Sequence, residues 1–353
     1  MAAIYMVLTR VGHVTVPRQL AVSIDFICHV PDYCADLYRF RRRHELQHLY
    51  DLLKLPLRFT LKDGSHVYSE TAFLYTIMRL TKDTNVQDLM EKGFGGEKTK
   101  WGRVLTTTTD WLLEEHGHRL GTIKPEEVAR FPSYARAVED YVNAKGAGIV
   151  AGANRIALFI DCNCVATTRP GGGPTAEGPG AARNDPLLQR AFYNGWKSMN
   201  GLKAQTVMAP DGLTIHMWGL CSLRRNDSHV LAVSGVNDLL TSAQSNVHPA
   251  PYCVYGDSAY TNMGLLRRST GVRAVDSPFN SARECVEHSY GEKDILFPYL
   301  KCKRKLRIRE RNMAPLYFAA LFLRNCYTCL YWDKTSERFD IAPPSLGEYL
   351  SWD

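Results

Sequence analysis

The stretch Arg155-Ile156-Ala157-Leu158-Phe159-Ile160-Asp161 decides the fold. Residues 156–160 form a short, unbroken apolar run, as expected of a central strand, and Asp161 closes it. Two more strand candidates follow at 202–209 and 213–219. They are joined by Pro210-Asp211-Gly212, a hairpin turn signal. Arg224-Arg225-Asn226-Asp227 leads into a helix predicted over 228–241. Residues 252–255 make another short strand, ending in Gly256-Asp257, and helices are expected over 281–293 and 314–331. Between the first strand and the hairpin, residues 169–184 form a Gly/Pro-rich loop of low complexity.

Strand, hairpin of two strands, helix, strand, helix, helix is the topological order of an RNase H-like α/β domain, a mixed sheet with flanking helices. Helix signals dominate upstream and give way to strands near residues 146–154. That predicts a mostly helical region over 1–150, a catalytic domain over 151–335 and a tail over 336–353.

Residues 1–35 carry only a few strand-like apolar runs. Helical spacing runs over 36–53, stopped by Pro56, and Asp63-Gly64 marks a turn. Ser69 can cap a helix over 70–80, with Phe73, Ile77 and Leu80 on one face. Thr84 can cap a short helix with Val86, Leu89 and Met90 apolar; Gly93, Gly95 and Gly96 then break the chain. A longer helix is predicted over 98–116 and another around 125–145. A short middle helix and a glycine turn are what a helix-turn-helix needs, here over about 69–116. Its third helix would present Lys98, Lys100, Arg103 and the threonine run 106–109 to a DNA groove. An ordinary three-helix bundle without DNA contact fits the same pattern.

The 353 residues suit roughly two domains, and 45% hydrophobic with 22% charged residues rules out wholesale disorder. No stretch approaches the ~18 apolar residues of a membrane span. The first residues lack the order of a signal peptide, so the expectation is a soluble, intracellular chain with no membrane partner. Its ten cysteines then read as reduced thiols. Cys326 and Cys329 resemble half a zinc site, but they lie in an apolar helical run with no second pair and read as core. Cys162 and Cys164 read the same way. The formal charge of +7 is mild but unevenly spread. Residues 293–311 hold eight basic residues against Asp294 and Glu310, a net of +6.

Three carboxylates sit where this topology makes them useful. Asp161 ends the first strand, Asp257 ends the strand after the first helix, and Glu287 lies thirty residues later in a helix. If the two strands are neighbours, Asp161 and Asp257 emerge side by side, and a helix on the sheet edge can bring Glu287 to them. Three hard oxygen donors suit Mg²⁺ or Mn²⁺ and would repel one another without a cation. Two such ions can activate a water or a 3′-hydroxyl and stabilise the leaving oxygen of a phosphodiester. Lys301, Lys303, Arg304, Lys305 and Arg307 follow directly, where they could hold a phosphate backbone. The same run also reads as a solvated face or a nuclear import signal, which gives a nuclear location.

In these pieces the chain resembles the DDE-type transposases of the PIF/Harbinger class and their endonuclease-like relatives. The resemblance rests on Leu158-Phe159-Ile160-Asp161, Asn200-Gly201-Leu202-Lys203-Ala204-Gln205, Pro210-Asp211-Gly212, Arg225-Asn226-Asp227-Ser228, Tyr255-Gly256-Asp257-Ser258-Ala259-Tyr260 and Val286-Glu287-His288-Ser289-Tyr290-Gly291. It implies metal-dependent DNA cleavage and strand joining, with Asp161, Asp257 and Glu287 as both catalytic and metal-ligating residues. It also implies double-stranded DNA as the substrate, with a separate DNA-binding protein and a homo-oligomer as further partners. Asp227 stands where the family has an HD-like pair and would support the triad, although Asn226 replaces the usual His. Asp161-Cys162-Asn163-Cys164 departs from the D-G-T-like step of the family, and the long Gly/Pro loop after it is unusual. A host-adopted scaffold that binds DNA or protein without cutting would keep the same residues.

Two other motifs compete. His44-Glu45-Leu46-Gln47-His48 matches the H-E-x-x-H pattern of zinc proteases, but an arginine run precedes it, Pro56 follows soon after, and nothing marks a third ligand. Gly93-Phe94-Gly95-Gly96-Glu97-Lys98 lacks the spacing of a phosphate loop and fits a helix turn better.

Overall fold

The computed structural model describes residues 23–24, 31–83, 86, 94–146, 155–170, 186–303, 305–308 and 312–352. Expectations for the runs before residue 23, the short helix around Leu89 and Met90, the boundary at 147–154, most of the Gly/Pro loop, and Arg304 lie outside them. In chain order the N-terminal half has helices α1 (Pro31–Tyr38) and α2 (Arg43–Leu53), a small hairpin of β1 (Arg58–Thr60) and β2 (His66–Tyr68), then α3 (Ser69–Thr81), α4 (Lys98–His116), α5 (His118–Gly121) and α6 (Pro125–Ala144). The second half runs β3 (Ile156–Ala166), α7 (Pro186–Phe192), β4 (Tyr193–Asn194), β5 (Met199–Met208), β6 (Thr214–Ser222), α8 (Asp227–Ser234), α9 (Val236–Gln244), β7 (Cys253–Gly256), β8 (Leu266–Arg268), α10 (Arg273–Leu296), a 3₁₀ turn (Pro298–Lys301), α11 (Ala314–Tyr331), α12 (Lys334–Phe339) and α13 (Leu346–Ser351).

The second half is built on a six-stranded mixed sheet. β3 lies at its centre, antiparallel to β5 on one side and parallel to β7 on the other. β6 pairs antiparallel with β5, and β8 pairs parallel with β7. Residues 156–160 of β3 are fully buried, as their unbroken apolar run requires. Helices α6 and α10 pack against β3. In α10 the buried face is Phe279, Ala282, Cys285, Val286 and Tyr290, a helical stripe that leaves Glu287 outside. A single hydrophobic cluster includes Leu46, Phe73 and Leu105 of the helical half together with Leu158, Ile160 and Leu321 of the sheet half.

Several elements differ from expectation in extent. β3 does not stop at Asp161, because β5 supplies antiparallel partners as far as Ala166. The helix expected over 36–53 is two helices: Arg39 has φ +67°, and Glu45 caps the second start by accepting from the Arg42 amide. Gly235, at φ +67°, divides the helix expected over 228–241 into α8 and α9. α10 begins eight residues before the expected start at 281 and contains Pro278. Near its start Asp276 accepts from the amides of Thr270 and Gly271, which ties the preceding loop to the helix. Thr108 and Thr109 do not face a groove; they are buried, with hydroxyls bonded to the carbonyls of Val104 and Leu105. The stretch after residue 335 carries α13, whose Tyr349 is buried against α11.

Candidate active site

The register of the sheet brings the first two carboxylates together. Phe159 of β3 pairs with Tyr255 of β7, and Asp161 and Asp257 each stand two residues beyond that pair. With parallel strands about 4.8 Å apart, equal offsets put the two acids on neighbouring positions. Gly256 is needed between them: a Cβ there would lie 2.8 Å from the Tyr260 ring and 3.1 Å from Ile160. Asp257 then leaves the strand in a short turn, its Oδ1 accepting from the Ala259 amide at 3.0 Å.

Glu287 arrives from α10. With Asp161, Asp257, Asp227, Lys197 and Lys203 it lines one cavity of about 420 Å³, along with Cys162, Asn163, Cys164 and Tyr290. The three acids named from the sequence and the supporting Asp227 therefore share one space. Among the described residues, the basic residues named from the sequence do not line it. Lys301 is exposed and 3.9 Å from Asp294, Lys303 and Arg307 are exposed, and Lys305 is bonded to Asp83 at 2.7 Å. On α4, Lys98 is exposed, Lys100 is half-buried and Arg103 pairs with Asp63 at 2.5 Å.

Two cations that the sequence reading did not single out for the site pair with these acids. Arg283 donates to Asp161 Oδ2 at 2.6 Å and to Glu287 Oε1 at 2.9 Å. Lys203 donates to Asp227 Oδ1 at 2.5 Å and to the Arg225 carbonyl at 2.7 Å. Burial works against the Lys203 ammonium, but its bond to Asp227 and the charge of that carboxylate outweigh it and hold its pKa above the usual lysine range. Asp161 also accepts from the Cys162 amide at 2.7 Å, and its own carbonyl accepts from the Tyr290 hydroxyl at 2.9 Å. Burial nonetheless pushes its carboxyl up to about 6. Arg283 and the Cys162 amide pull it down, while Asp257 and Glu287 add to the rise.

The donor set fits a divalent cation in kind. Four carboxylates face one cavity, and the proton affinity of Asp161 is raised partly by its acidic neighbours, a charge imbalance that a cation relieves. Arg283 already stands in as such a cation between Asp161 and Glu287. Among the described residues no group of three His, Cys, Asp or Glu side chains is arranged to hold a metal ion.

A signal for Arg283 existed, since it lies four residues before Glu287 on one helix face. Lys203 lies in the quoted Asn200–Gln205 segment and pairs across the ladder with Cys164. Cys162 and Cys164, read as core, are half-buried residues of the cavity wall, because β3 continues past the covered part of the sheet. Burial pushes both thiols up, so they stay protonated near neutrality. Cys326 is buried as expected. The His44-Glu45 motif does structural work: Glu45 accepts from the Arg42 amide and from the Tyr331 hydroxyl, while His44 and His48 are exposed.

Residues 161–325 match a family model described as DDE superfamily endonuclease. The matched segment starts at Asp161, contains Asp257 and Glu287, and ends in α11. Comparison with curated proteins and with solved structures gives no match.

Proposed function

We propose, from the similarity of residues 161–325 to DDE superfamily endonucleases, that this chain is a divalent-metal-dependent DNA nuclease of transposase type. The observation that carries the reading is the meeting of Asp161, Asp257 and Glu287, from a strand, a loop and a helix, in one cavity. The sheet order β6-β5-β3-β7-β8, with β3 antiparallel to β5 and parallel to β7, supports an RNase H-like catalytic domain. The PIF/Harbinger class, a helix-turn-helix within 69–116, nuclear action, two ions, a homo-oligomer and a separate DNA-binding partner belong to the same proposal.

In this reading Asp161, Asp257 and Glu287 hold Mg²⁺ or Mn²⁺. Bound there, the ions supply a Lewis acid that lowers the pKa of an attacking water or hydroxyl and stabilises the leaving oxygen. The chain's own residues do the rest. Tyr290 fixes the Asp161 main chain through its carbonyl, and the Cys162 amide orients one carboxylate oxygen. Lys197 offers positive charge to a phosphate at the cavity, and Lys203 holds Asp227 in place. Arg283 keeps Asp161 and Glu287 from repelling each other when no ion is present.

The test is nicking of supercoiled DNA with Mg²⁺ or Mn²⁺. Asp257→Asn should abolish metal-dependent nicking while salt-sensitive DNA binding persists. Nicking at the parent rate by that variant sinks the assignment. The guanidinium between Asp161 and Glu287 favours a second reading, a host-adopted scaffold that binds DNA or protein without cutting. Divalent-ion titration separates the two: a scaffold binds DNA and yields no metal-dependent product.

A further inference from the structure

Beside the acidic cavity stands a feature that cleavage chemistry does not use. The connection from β4 to β5 is a closed turn. The Asn194 side chain accepts from the Lys197 amide at 3.0 Å, and the Ser198 amide donates to the Gly195 carbonyl at 3.3 Å. Its adjacent residues Trp196 and Lys197 serve different surroundings. Lys197 lines the cavity together with Asp161, Asp257 and Glu287. Trp196 is 95% exposed, the most exposed large apolar side chain among the described residues. A loose loop does not explain this, since the turn is bonded across itself.

The surroundings of the tip are cationic. Arg224 donates to the Arg190 carbonyl at 3.0 Å, and Asn194 to the Leu223 carbonyl at 2.9 Å, so the hairpin base, α7 and the segment before α8 form one surface. Arg190, Lys197, Arg224 and Arg225 are exposed on these elements, and among the described residues none of them pairs with a carboxylate. Exposed cations without acidic partners complement a polyanion. An indole needs a flat apolar face. Stacked bases in duplex DNA show only their edges, so the face becomes available where a base has left the stack.

We infer that the hairpin tip is a second DNA-binding element. Trp196 stacks on an unpaired base next to the scissile phosphodiester, and Arg190, Arg224 and Arg225 hold the adjoining backbone. This rests on the nuclease reading of the cavity, because it takes the strand there to be DNA. It goes beyond that reading by giving the site a preference for distorted or splayed DNA over a paired duplex.

The experiment measures equilibrium binding of the full-length chain, in EDTA, to two labelled oligonucleotides of equal length: a paired duplex and one with a short central run of unpaired bases. The parent should prefer the unpaired-run substrate. Trp196→Ala should lose about tenfold or more in affinity for it, with little change on the duplex, and Trp196→Phe should retain most of the preference. Because the side chain is exposed, both variants should melt with the parent. Equal affinity of parent and Trp196→Ala for the unpaired-run substrate overturns the hairpin inference and leaves the nuclease reading standing. A parent that binds neither oligonucleotide at low salt overturns both. Loss of self-association in Trp196→Ala, with DNA affinity unchanged, assigns the tip to a protein partner and overturns the DNA role.

Discussion

Two arginines in this molecule each gather two carboxylates, in opposite surroundings. Arg324 of α11 is fully buried. It bonds Glu292 of α10 at 2.8 Å, Asp333 at the start of α12, and the carbonyl of Gly212 in the β5–β6 turn. Arg283 of α10 bonds Asp161 and Glu287, but Glu287 is 55% exposed and both acids line the open cavity. In the first case Arg324 and Asp333 are enclosed and only Glu292 reaches partly to solvent, so the knot staples three elements together. In the second, one side of the cluster faces solvent, so a different cation can reach the same oxygens. The same chemistry serves architecture when closed and leaves room for exchange when open.

The comparison breaks most sharply at Arg324. Arg324→Met leaves Asp333 buried without its partner, and should cost about 3–5 kcal/mol of stability in a denaturant melt. A cost below 1 kcal/mol would show that the enclosed knot is not a staple. Arg283→Gln should cost less in the absence of divalent ions, about 1–3 kcal/mol, because solvent screens part of the cluster. Its melting temperature should then rise more with Mn²⁺ than that of the parent, since the ion restores the missing positive charge. A variant with the parent's melting temperature and the parent's Mn²⁺ response would refute the stand-in role.

The smallest effect is in pH dependence, where the two regions act with opposite sign. His116, stacked on Phe322 at 5.0 Å, and His216 of β6 are both held down to about 4 from 6.5 by burial. Unfolding lets them take protons, so their contribution to stability is present above pH 6.5 and is lost as pH falls towards 4. Asp161 is raised from 3.8 to about 6, mainly by burial. The folded chain therefore takes its proton first, and this group's contribution grows as pH falls through the same window. Burial raises the carboxyls of Glu127 and Asp211 as well, so each group's share in any fall of melting temperature from pH 7 to 4.5 is read from single variants. His116→Gln should flatten that fall and Asp161→Asn should steepen it. Parallel curves for all three proteins would contradict the assignment.

Much of the second half was legible along the chain. The apolar run before Asp161 and the Pro210-Asp211-Gly212 turn lie where strand pairing needs them, since backbone and side-chain periods are local properties. Extents were less legible. Nothing local says that β3 continues to Ala166, because the pairing partners come from β5, some forty residues on. The Gly212 conformation, φ +87°, was expected of a turn glycine. The approach of Asp333, which a Cβ there would meet at 2.2 Å, was not.

The site divides the same way. The sequence by itself determined the three acids, because their order and offsets from strand and helix signals are written in the chain. Tertiary structure decided which charges answer them. Lys197 and Lys203 line the cavity and Arg283 bonds two of its acids, whereas the described Lys301, Lys303, Lys305 and Arg307 of the conspicuous basic run after α10 do not line it, with Lys305 spent on Asp83. The physical reason is distance. A run of like charge is visible in one dimension, but electrostatic balance is set within a few ångströms in three, where the sheet register and helix faces choose the neighbours.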